Sequence, residues 1–359
     1  MKQLIFILII LLLAPCIYAK EIFPVPVGAY NPRIYTALKP CSEIVIDGIL
    51  NDESWQKTPY TEDFVDIEGD LKPAPFHRTR VKMLWDEDWL YIGAEMIEPH
   101  IWAKLTKRDA VIFHDNDFEV FIDPDGDTHD YYELEINALG TLWDLFLVKP
   151  YRDRQQVAIN AWDIRDIEYA IHIDGTLNDP SDRDNAWYVE MRIPMEVLKE
   201  CAHKPVPPPD GDFWRVNFSR VHWDTEISDG SYYKIQGKPE YNWVWSPQGL
   251  IAMHYPERWG YLFFSHALAG EPHKEYRVPH LEQGKEYLRQ LYYKQKQYFM
   301  DKGRYAKSLK ELKAKPFKIY DYKVKLKYEY SSYGYVITLG PGQGLPQICI
   351  REDGLTWLP

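Results

Sequence analysis

Short runs of alternating apolar and polar residues, separated by Gly, Pro, Asn and Asp turns, extend from about residue 43 to residue 264. In residues 187–193 the odd positions are apolar and the even positions are mostly polar. Because side chains alternate between the two faces of a strand, this pattern predicts one buried face and one wet face. Similar runs are 79–85, 89–96, 117–123, 131–137, 142–148, 213–221 and 259–264. The sequence therefore predicts a mainly β protein, an antiparallel β-sandwich of about eight to ten strands.

Both the hydrophobic pattern and the net charge change near residue 280. Residues 20–280 carry 26 basic and 46 acidic side chains, a net charge of -20, whereas residues 281–359 carry 15 basic and 8 acidic ones, a net charge of +7. Apolar residues recur at helical spacing over 281–300, before a short turn of helix at 308–313 and strand-like runs at 323–330, 335–339 and 347–351. We therefore predict a main domain over 42–270 and a small α+β module with one long helix over 281–359.

The first 19 residues have the features of an export signal. Lys2 precedes an apolar run that ends at Ala14 and is too short to span a bilayer. Cleavage after Ala19 is the first expectation, and a lipoprotein-type signal with acylation of Cys16 is the alternative. No later run has the length of a membrane helix. We expect an exported protein, either periplasmic, secreted or attached to the cell envelope, with residues 20–41 as a linker or strand before the main domain.

Charge and cysteine spacing exclude several classes of function. The formal net charge is -12 and the first 280 residues contain no basic cluster, which argues against nucleic-acid binding. Without the signal, Cys41, Cys201 and Cys349 remain and have no C-x-x-C spacing, so zinc and redox motifs are absent. A disulfide between Cys41 and Cys201 and a set of buried thiols are both open alternatives.

Three motifs occur in an order and spacing that resemble carbohydrate-binding module family 9. They lie at residues 46–55 (IDGILNDESW), 81–93 (VKMLWDEDWLYIG) and 115–123 (DNDFEVFID). The resemblance covers roughly residues 42–264. It implies a jelly-roll-like sandwich that binds sugars, often at a reducing end, and carries structural calcium. In the tail, residues 292–309 are similar to the end of the long helix in type IV pilin-like proteins, which implies only a helix packed on a meander.

The resemblance also indicates where a sugar would bind. Glu119 and Asn137 match the family's ligand-binding positions, whereas Glu135 stands where the family has a basic residue. The two Trp positions that clamp the sugar in the family fall on His114 and near Met253 and His254, in the loop over residues 245–259. Because 15% of the residues are aromatic, other rings can stack on the sugar. The predicted sugar-binding residues are Glu119, Glu135, Asn137, Trp143, His114, Arg220, Trp223 and Trp245, with Trp243 as a further stacking candidate.

An acidic turn at residues 123–130 is the candidate calcium site. Asp123, Asp125, Asp127 and Asp130 can gather oxygen ligands, which a hard cation prefers. The turn is not an EF-hand, because Gly126 is at its fourth position rather than the sixth. The alternative is a solvated hairpin turn without a metal.

These features favour an exported carbohydrate-binding protein that takes part in polysaccharide binding and catabolism. Its expected partner is an oligosaccharide or polysaccharide, with no required cofactor apart from structural calcium. One alternative is a glycoside hydrolase that uses Glu119 and Glu135 as a carboxylate pair. Another is a non-catalytic envelope structural or adhesion protein whose basic residues 285–327 contact an anionic surface.

Overall fold

The structure is a computed structural model that describes residues 21–153, 156–316, 318–319, 322–340 and 346–359. The predicted signal peptide, with its alternative processing sites at Cys16 and Ala19, lies outside the described residues. No helix in the described ranges combines the length and the apolar character that a membrane crossing requires.

Strands dominate the main domain and a single long helix begins the C-terminal module. The main-domain strands are β1 (Ile34–Lys39), β2 (Val65–Asp66), β3 (Thr79–Trp85), β4 (Trp89–Ile97), β5 (Asp117–Asp123), β6 (Tyr131–Asn137), β7 (Leu142–Leu147), β8 (Ala158–Ile159), β9 (Glu168–Asp174), β10 (Ala186–Pro194), β11 (Phe213–His222), β12 (Thr225–Ser228), β13 (Ser231–Lys234), β14 (Tyr241–Val244) and β15 (Gly260–Leu268). The module's strands are β16 (Lys318–Ile319), β17 (Tyr322–Lys323), β18 (Lys325–Tyr330), β19 (Tyr335–Gly340), β20 (Ile348–Arg351) and β21 (Thr356–Trp357). The helices are α1 (Glu53–Lys57), α2 (Met195–Leu198) and α3 (His280–Lys302), with 3-10 turns at Gly69–Leu71, Ile112–His114, Tyr151–Asp153 and Pro256–Arg258.

The strands predicted from alternation are confirmed, most of them to within one or two residues at each end. The long helix and the strand-like runs of the tail are also present, as α3 and a meander of β18 to β21. Residues 308–313 form hydrogen-bonded turns rather than the predicted turn of helix.

Two sheets form a sandwich and are joined through β1. The first sheet has the order β8-β7-β6-β5-β11-β15-β1, with β14 paired to β11 and β2 paired to β14, and the second continues as β1-β3-β4-β10-β9. β1 pairs in parallel with both β15 and β3, which departs from the predicted all-antiparallel arrangement. No hairpin joins β1 to either neighbour, so the chain connections do not impose an antiparallel direction.

The core lies between the two sheets and follows from the alternation of each strand. Phe118, Val120 and Ile122 of β5 point to the same side and pack with residues of β3, β4 and β10. Their odd-numbered neighbours on β5 face the opposite side of the first sheet. The outer face of this sheet therefore carries the polar residues of the domain's third motif.

The first motif joins the N-terminal segment to the second sheet through a buried carboxylate. Glu190 accepts hydrogen bonds from the backbone N–H groups of Asp47 (2.9 Å) and Gly48 (2.8 Å) and from the Trp55 indole N–H (2.7 Å). Gly48 has a φ of +88°, and a Cβ there would lie 2.8 Å from the backbone nitrogen of His172. The Asp-Gly pair and the Trp of this motif therefore have a structural role.

The cysteines do not form the Cys41–Cys201 disulfide in this structure. Cys41, Cys201 and Cys349 are all free, with Cys349 buried and the other two partly buried. The thiol alternative is thus the one observed.

The C-terminal module packs on the sandwich through both an apolar cluster and a buried charge network. The cluster combines Leu288 and Tyr292 of α3 with Phe23 and Tyr255 from outside the module. The Glu257 carboxylate lies 2.9 Å from the Arg152 guanidinium and 3.6 Å from that of Arg289, and it accepts a hydrogen bond from Tyr293.

The charges around Glu257 determine its ionisation. Burial alone would raise the pKa of this carboxyl group, but Arg152 and Arg289 together with the Tyr293 hydroxyl lower it to about 2. Because the folded-state pKa is depressed, the ionised group stabilises the protein above its unfolded pKa near 4.5, and this contribution is lost as the pH falls towards 2.

We predict that Glu257→Gln lowers the free energy of unfolding by roughly 2–4 kcal/mol at pH 7, because two buried guanidinium groups lose their counter-charge. Denaturant unfolding at several pH values measures this change. The variant should also show a weaker loss of stability between pH 4.5 and 2 than the parent protein. Glu196→Gln is the control, since the exposed Glu196–Lys199 pair (3.2 Å) should contribute little. Equal stability of the Glu257 variant and the parent would contradict the prediction.

Candidate functional site

A cavity of about 350 Å³ opens on the outer face of the first sheet. It combines acidic side chains from two neighbouring strands with aromatic side chains from strands and loops. The lining residues are Ile67, Phe113, Glu119, Phe121, Glu133, Glu135, Trp143, Tyr151, Val221, Glu240, Asn242, Ile251, Ala252, Met253 and His254. The cavity is therefore lined by acceptors of hydrogen bonds and by flat apolar surfaces.

Strand register brings the acidic residues together. Glu119 on β5 lies directly opposite Glu135 on β6, and Glu135 lies opposite Trp143 on β7. Glu133 shares the face of Glu135 because the two are separated by two positions on one strand. Directly paired residues have their Cβ atoms roughly 5 Å apart, so this register concentrates three glutamates and one indole at one end of the cavity.

The glutamates are buried with little compensation from the protein. Glu135 accepts a 2.9 Å hydrogen bond from the Phe113 backbone N–H, and Glu133 lies 3.9 Å from the His254 ring. Burial raises the pKa of Glu119 to about 7. Burial raises the pKa of Glu133 and Glu135 well above their usual range, and the charge of Glu119 adds to this effect. The cavity thus disfavours the ionised form of all three carboxyl groups unless a ligand compensates their charge.

Five aromatic side chains line the cavity: Trp143, Tyr151, His254, Phe113 and Phe121. Trp143 is partly buried, and its indole N–H has no hydrogen-bond partner within the described residues. Tyr151 packs edge-on against His254 with ring centroids 4.5 Å apart. Burial, together with the charge of Arg152, lowers the pKa of His254 to about 3, so this imidazole is neutral at neutral pH. It shares a 2.9 Å hydrogen bond with the Tyr131 hydroxyl.

A second cavity of about 530 Å³ adjoins the acidic one. The two share Ile67, Glu240, Asn242 and Ile251 as lining residues. Phe76, which is half exposed, and Tyr241 provide aromatic surface in the second cavity. The outer face therefore offers an extended groove rather than a single closed pocket.

Asn137 does not line the acidic cavity. Its amide donates to the Leu105 carbonyl (2.9 Å) and the Asp115 carboxylate (3.0 Å), and its oxygen accepts from the backbone N–H groups of Leu139 and Thr141. All of its hydrogen-bonding capacity is used to fix two loops. This corrects the expectation that Asn137 contacts a sugar.

Arg220 and Trp245 face the core rather than the cavity. Arg220 is fully buried and pairs with Glu98 at 2.7 Å, not with Glu119 or Glu135. Trp245 is also fully buried, in the core between the sheets. Between β11 and β14, Ser219 pairs with Val244, and the next residue, Arg220, pairs with Trp243. Arg220 and Trp243 therefore lie on the face of the sheet opposite to that of Ser219. A shift of one residue along a strand moves a side chain to the opposite face of the sheet. This explains why Arg220 and Trp245 point away from the site that was predicted for them.

His114 and Trp223 lie beside the acidic cavity but do not line it. His114 is exposed and lines a separate open depression of about 700 Å³, together with Lys104, Tyr233 and Lys234. The Trp223 indole donates a 2.8 Å hydrogen bond to the Phe113 carbonyl, and the Lys234 ammonium group covers its ring at 3.7 Å. Trp223 thus supports the 3-10 turn that forms one edge of the cavity.

The structure adds Glu133 and Tyr151 to the predicted site. It also places Met253 and His254, near the second clamp position that the resemblance indicates, in the cavity lining. Glu133 could have been found from the sequence, because it is two positions from Glu135 on a recognised strand. Tyr151 begins a 3-10 turn, and no local pattern indicates that this turn meets the loop of His254 over the sheet.

The acidic turn contains three carboxylates in position to share a cation. Ligand atoms of Asp123, Asp125 and Asp127 lie within 4.8 Å of one another, and Asp130 is not part of this group. Burial and the neighbouring charges raise the pKa of Asp125 to about 9 and that of Asp127 to about 8. Both oxygens of Asp123 already accept backbone N–H groups of the turn at 2.9 Å. The oxygen-rich donor set fits calcium, with Asp125 and Asp127 as the residues that would hold it.

Comparison with protein families finds a match over part of the chain. Residues 46–206 match the family model described as carbohydrate family 9 binding domain-like. This match confirms the resemblance for that range, and it ends well before the tail, so it does not test the similarity to pilin-like proteins. A search of curated proteins finds no match.

Among solved structures, the chain is similar to a proposed carbohydrate-binding protein of Bacteroides uniformis, at 16% identity and a TM-score of 0.49, over 66% of this chain and 100% of that chain. It is also similar to a family 9 carbohydrate-binding module of Caldicellulosiruptor kristjanssonii in complex with cellotriose, at 14% identity and a TM-score of 0.41. The complex of that module with glucose gives 14% identity and a TM-score of 0.42. Each of these two matches to the module covers 68% of this chain and 100% of the module.

We predict that Glu135→Gln raises the free energy of unfolding by on the order of 1 kcal/mol at pH 8 with EDTA present, because it removes a buried charge opposite Glu119. Urea denaturation measures the change. Glu95→Gln is the matched control, because Glu95 is also buried but pairs with Arg78 and Arg80 at 2.8 Å and 2.7 Å. That control should lose stability. A loss of stability in both variants would show that Glu135 is compensated within the fold.

Proposed function

We propose that this chain is an exported carbohydrate-binding protein whose acidic cavity holds a sugar. The observation that supports the proposal most directly is the combination in one cavity of buried carboxylates, aromatic rings and an indole N–H that has no acceptor among the described residues. The family match over residues 46–206 supports the same assignment. The volume of about 350 Å³ is at the lower end of the range for small-molecule sites.

The chemistry of the cavity suits the two surfaces of a pyranose. Hydroxyl groups on the rim of the sugar can exchange hydrogen bonds with the carboxyl groups of Glu119, Glu133 and Glu135, which accept when ionised and can also donate when protonated. The apolar C–H face can pack against Trp143 or Tyr151. The Trp143 N–H would then donate to a ring or hydroxyl oxygen of the sugar. Each polar group of the cavity would thus gain a partner on binding.

The adjoining cavity extends this site to more than one sugar unit. A chain that occupies the acidic cavity can continue past Asn242 and Ile251, which line both cavities, towards Phe76 and Tyr241. The similar module of Caldicellulosiruptor kristjanssonii was solved with cellotriose and with glucose. Glucose and its β-linked oligomers are therefore the first ligands to test.

The role we propose is binding in polysaccharide use, without catalysis, by a protein exported through its N-terminal signal. The Glu119–Glu135 pair leaves hydrolysis as the second candidate, because two opposed carboxylates are what a glycosidase needs. Their environments favour the first role, since burial raises the pKa of both groups and the described cavity holds no ionised partner that would separate an acid from a nucleophile.

We predict that glucose or its oligomers bind to the parent protein and that Trp143→Ala and Glu119→Gln each weaken binding by about tenfold or more, because they remove a stacking surface or a charge-assisted acceptor. Isothermal titration with glucose, cellobiose and cellotriose measures this. Trp89→Ala is the control, because Trp89 is partly exposed on the other sheet, where Arg192 covers it. Affinity should increase with chain length if the second cavity is used.

The same mixtures should release no new reducing ends, and detectable cleavage that Glu119→Gln abolishes would favour the hydrolase. Unchanged affinity in both cavity variants would contradict the proposed site.

We also propose that the acidic turn binds calcium. The expected result is a rise in Tm with millimolar Ca²⁺, since a ligand of the folded state stabilises it by mass action. Asp125→Asn should abolish the increase that is due to this turn, whereas Asp70→Asn, at an exposed carboxylate elsewhere, should retain it. A Tm shift that is the same in Asp125→Asn and the parent would place the ion elsewhere.

A further inference from the structure

Asp117 is a fully buried carboxylate that is only half satisfied. It is the first residue of β5, and one oxygen, Oδ1, accepts a 3.2 Å hydrogen bond from the Val221 backbone N–H. The other oxygen, Oδ2, is buried and has no hydrogen-bond partner among the described residues. Leaving a carboxylate oxygen unpaired in the interior is costly, so this atom indicates a missing partner.

Asp117 belongs to a cluster of three carboxylates. One carboxylate oxygen from each of Asp117, Glu119 and Glu135 lies within 4.8 Å of the other two. All three side chains are buried. Asp117 and Glu119 share one face of β5, and Glu135 faces Glu119 from β6. Glu119 and Glu135 line the acidic cavity, whereas Asp117, two positions along β5 from Glu119, is fully buried and does not.

Some of the other buried carboxylates of the sandwich have a cationic partner, whereas Glu190 is satisfied by three N–H donors. Glu98 pairs with Arg220, and Glu95 pairs with two arginines. Within the described ranges, no ion pair involves any of the three carboxylates of the cluster. The fold therefore supplies counter-charges elsewhere in the same sandwich but not at this position.

We propose that Asp117, Glu119 and Glu135 bind a divalent cation, of which Ca²⁺ is the first choice, at the inner end of the acidic cavity. Three carboxylates supply the hard oxygen ligands and the negative charge that such an ion requires. The position of Asp117 favours a small ion over an amine on a sugar. An ammonium group attached to a ring could reach Glu119 and Glu135 from the cavity, but Asp117 is fully buried and does not line the cavity, so a small ion fits its unpaired oxygen better.

The cation would have coordination positions that face the cavity. Calcium takes six to eight oxygens, which is more than three monodentate carboxylates provide, so sugar hydroxyl groups could complete its coordination. This second step rests on the proposed function. It predicts that sugar affinity depends on the ion at the cluster and not on an ion at the acidic turn.

The test is isothermal titration of the whole protein with CaCl₂ in the absence of sugar. The parent protein, Asp117→Asn, Asp125→Asn and the double variant are compared. We expect that Asp117→Asn loses a binding event that Asp125→Asn retains, with affinity reduced at least tenfold, and that the double variant binds no Ca²⁺. If Asp117→Asn does not fold, the same CaCl₂ titration of Glu119→Gln tests the site. Near-UV circular dichroism confirms that each variant is folded.

Binding of Ca²⁺ that is unchanged in folded Asp117→Asn and Glu119→Gln would overturn the proposal. Preferential binding of glucosamine over glucose in EDTA, without competition by Ca²⁺, would also overturn it in favour of an amine site. Sugar titrations on Asp125→Asn, with and without Ca²⁺, then separate the two proposals. If sugar affinity in EDTA equals sugar affinity with Ca²⁺, the proposed function is supported and the dependence of sugar binding on the cation is overturned. If Ca²⁺ binds but no sugar does, the cation site is supported and the proposed sugar-binding function is contradicted.

Discussion

The register between β5 and its neighbours is the constraint on which both the core and the candidate site depend. Glu119 lies opposite Glu135 on one side and Ser219 on the other, so the odd positions of three adjacent strands face outward together. The even positions, such as Phe118 and Phe218, meet in the core and stack at 5.8 Å. A slip by one residue would bring the carboxylates into the apolar interior and the phenylalanines into the cavity, so the apolar core also determines the register of the acidic face.

This dependence explains how much of the molecule was predictable from the sequence. Alternation within one strand is a local property, and it gave the strands and the sandwich architecture. The side of the sheet that faces the core is not local, because it depends on which residues pair. Proximity to the strands that carry the polar residues predicts Arg220 and Trp245 at the sugar site, although the pairing of Ser219 with Val244 turns both inward. Trp143 lines the cavity, because its strand follows β6 through a tight turn and its register with Glu135 is short-range.

Loops and distant pairings were beyond prediction for a related reason. The parallel pairing of β1 with β15 joins segments from opposite ends of the domain, and no spacing in the sequence encodes it. His254 reaches the cavity from a loop that the structure holds over the sheet through Tyr131 and Tyr151. Asn137 shows the opposite case. Its type and position matched a ligand-binding residue, but the loops on either side satisfy its amide completely.

Two of the acidic clusters of the sandwich differ in what the protein supplies to them. At the turn, burial raises the pKa of Asp123, and the charge of Lys285 opposes this shift. Lys285 of α3 also donates to the Gly126 carbonyl at 3.1 Å, so the basic module partly compensates the acidic domain. The cluster around Asp117 receives no such help from the described chain. Burying like charges without compensation reduces stability, and a fold gains nothing from it unless a ligand acts there. The sign change in charge along the sequence thus has a structural counterpart, because the positive module covers the turn and leaves the cavity negative.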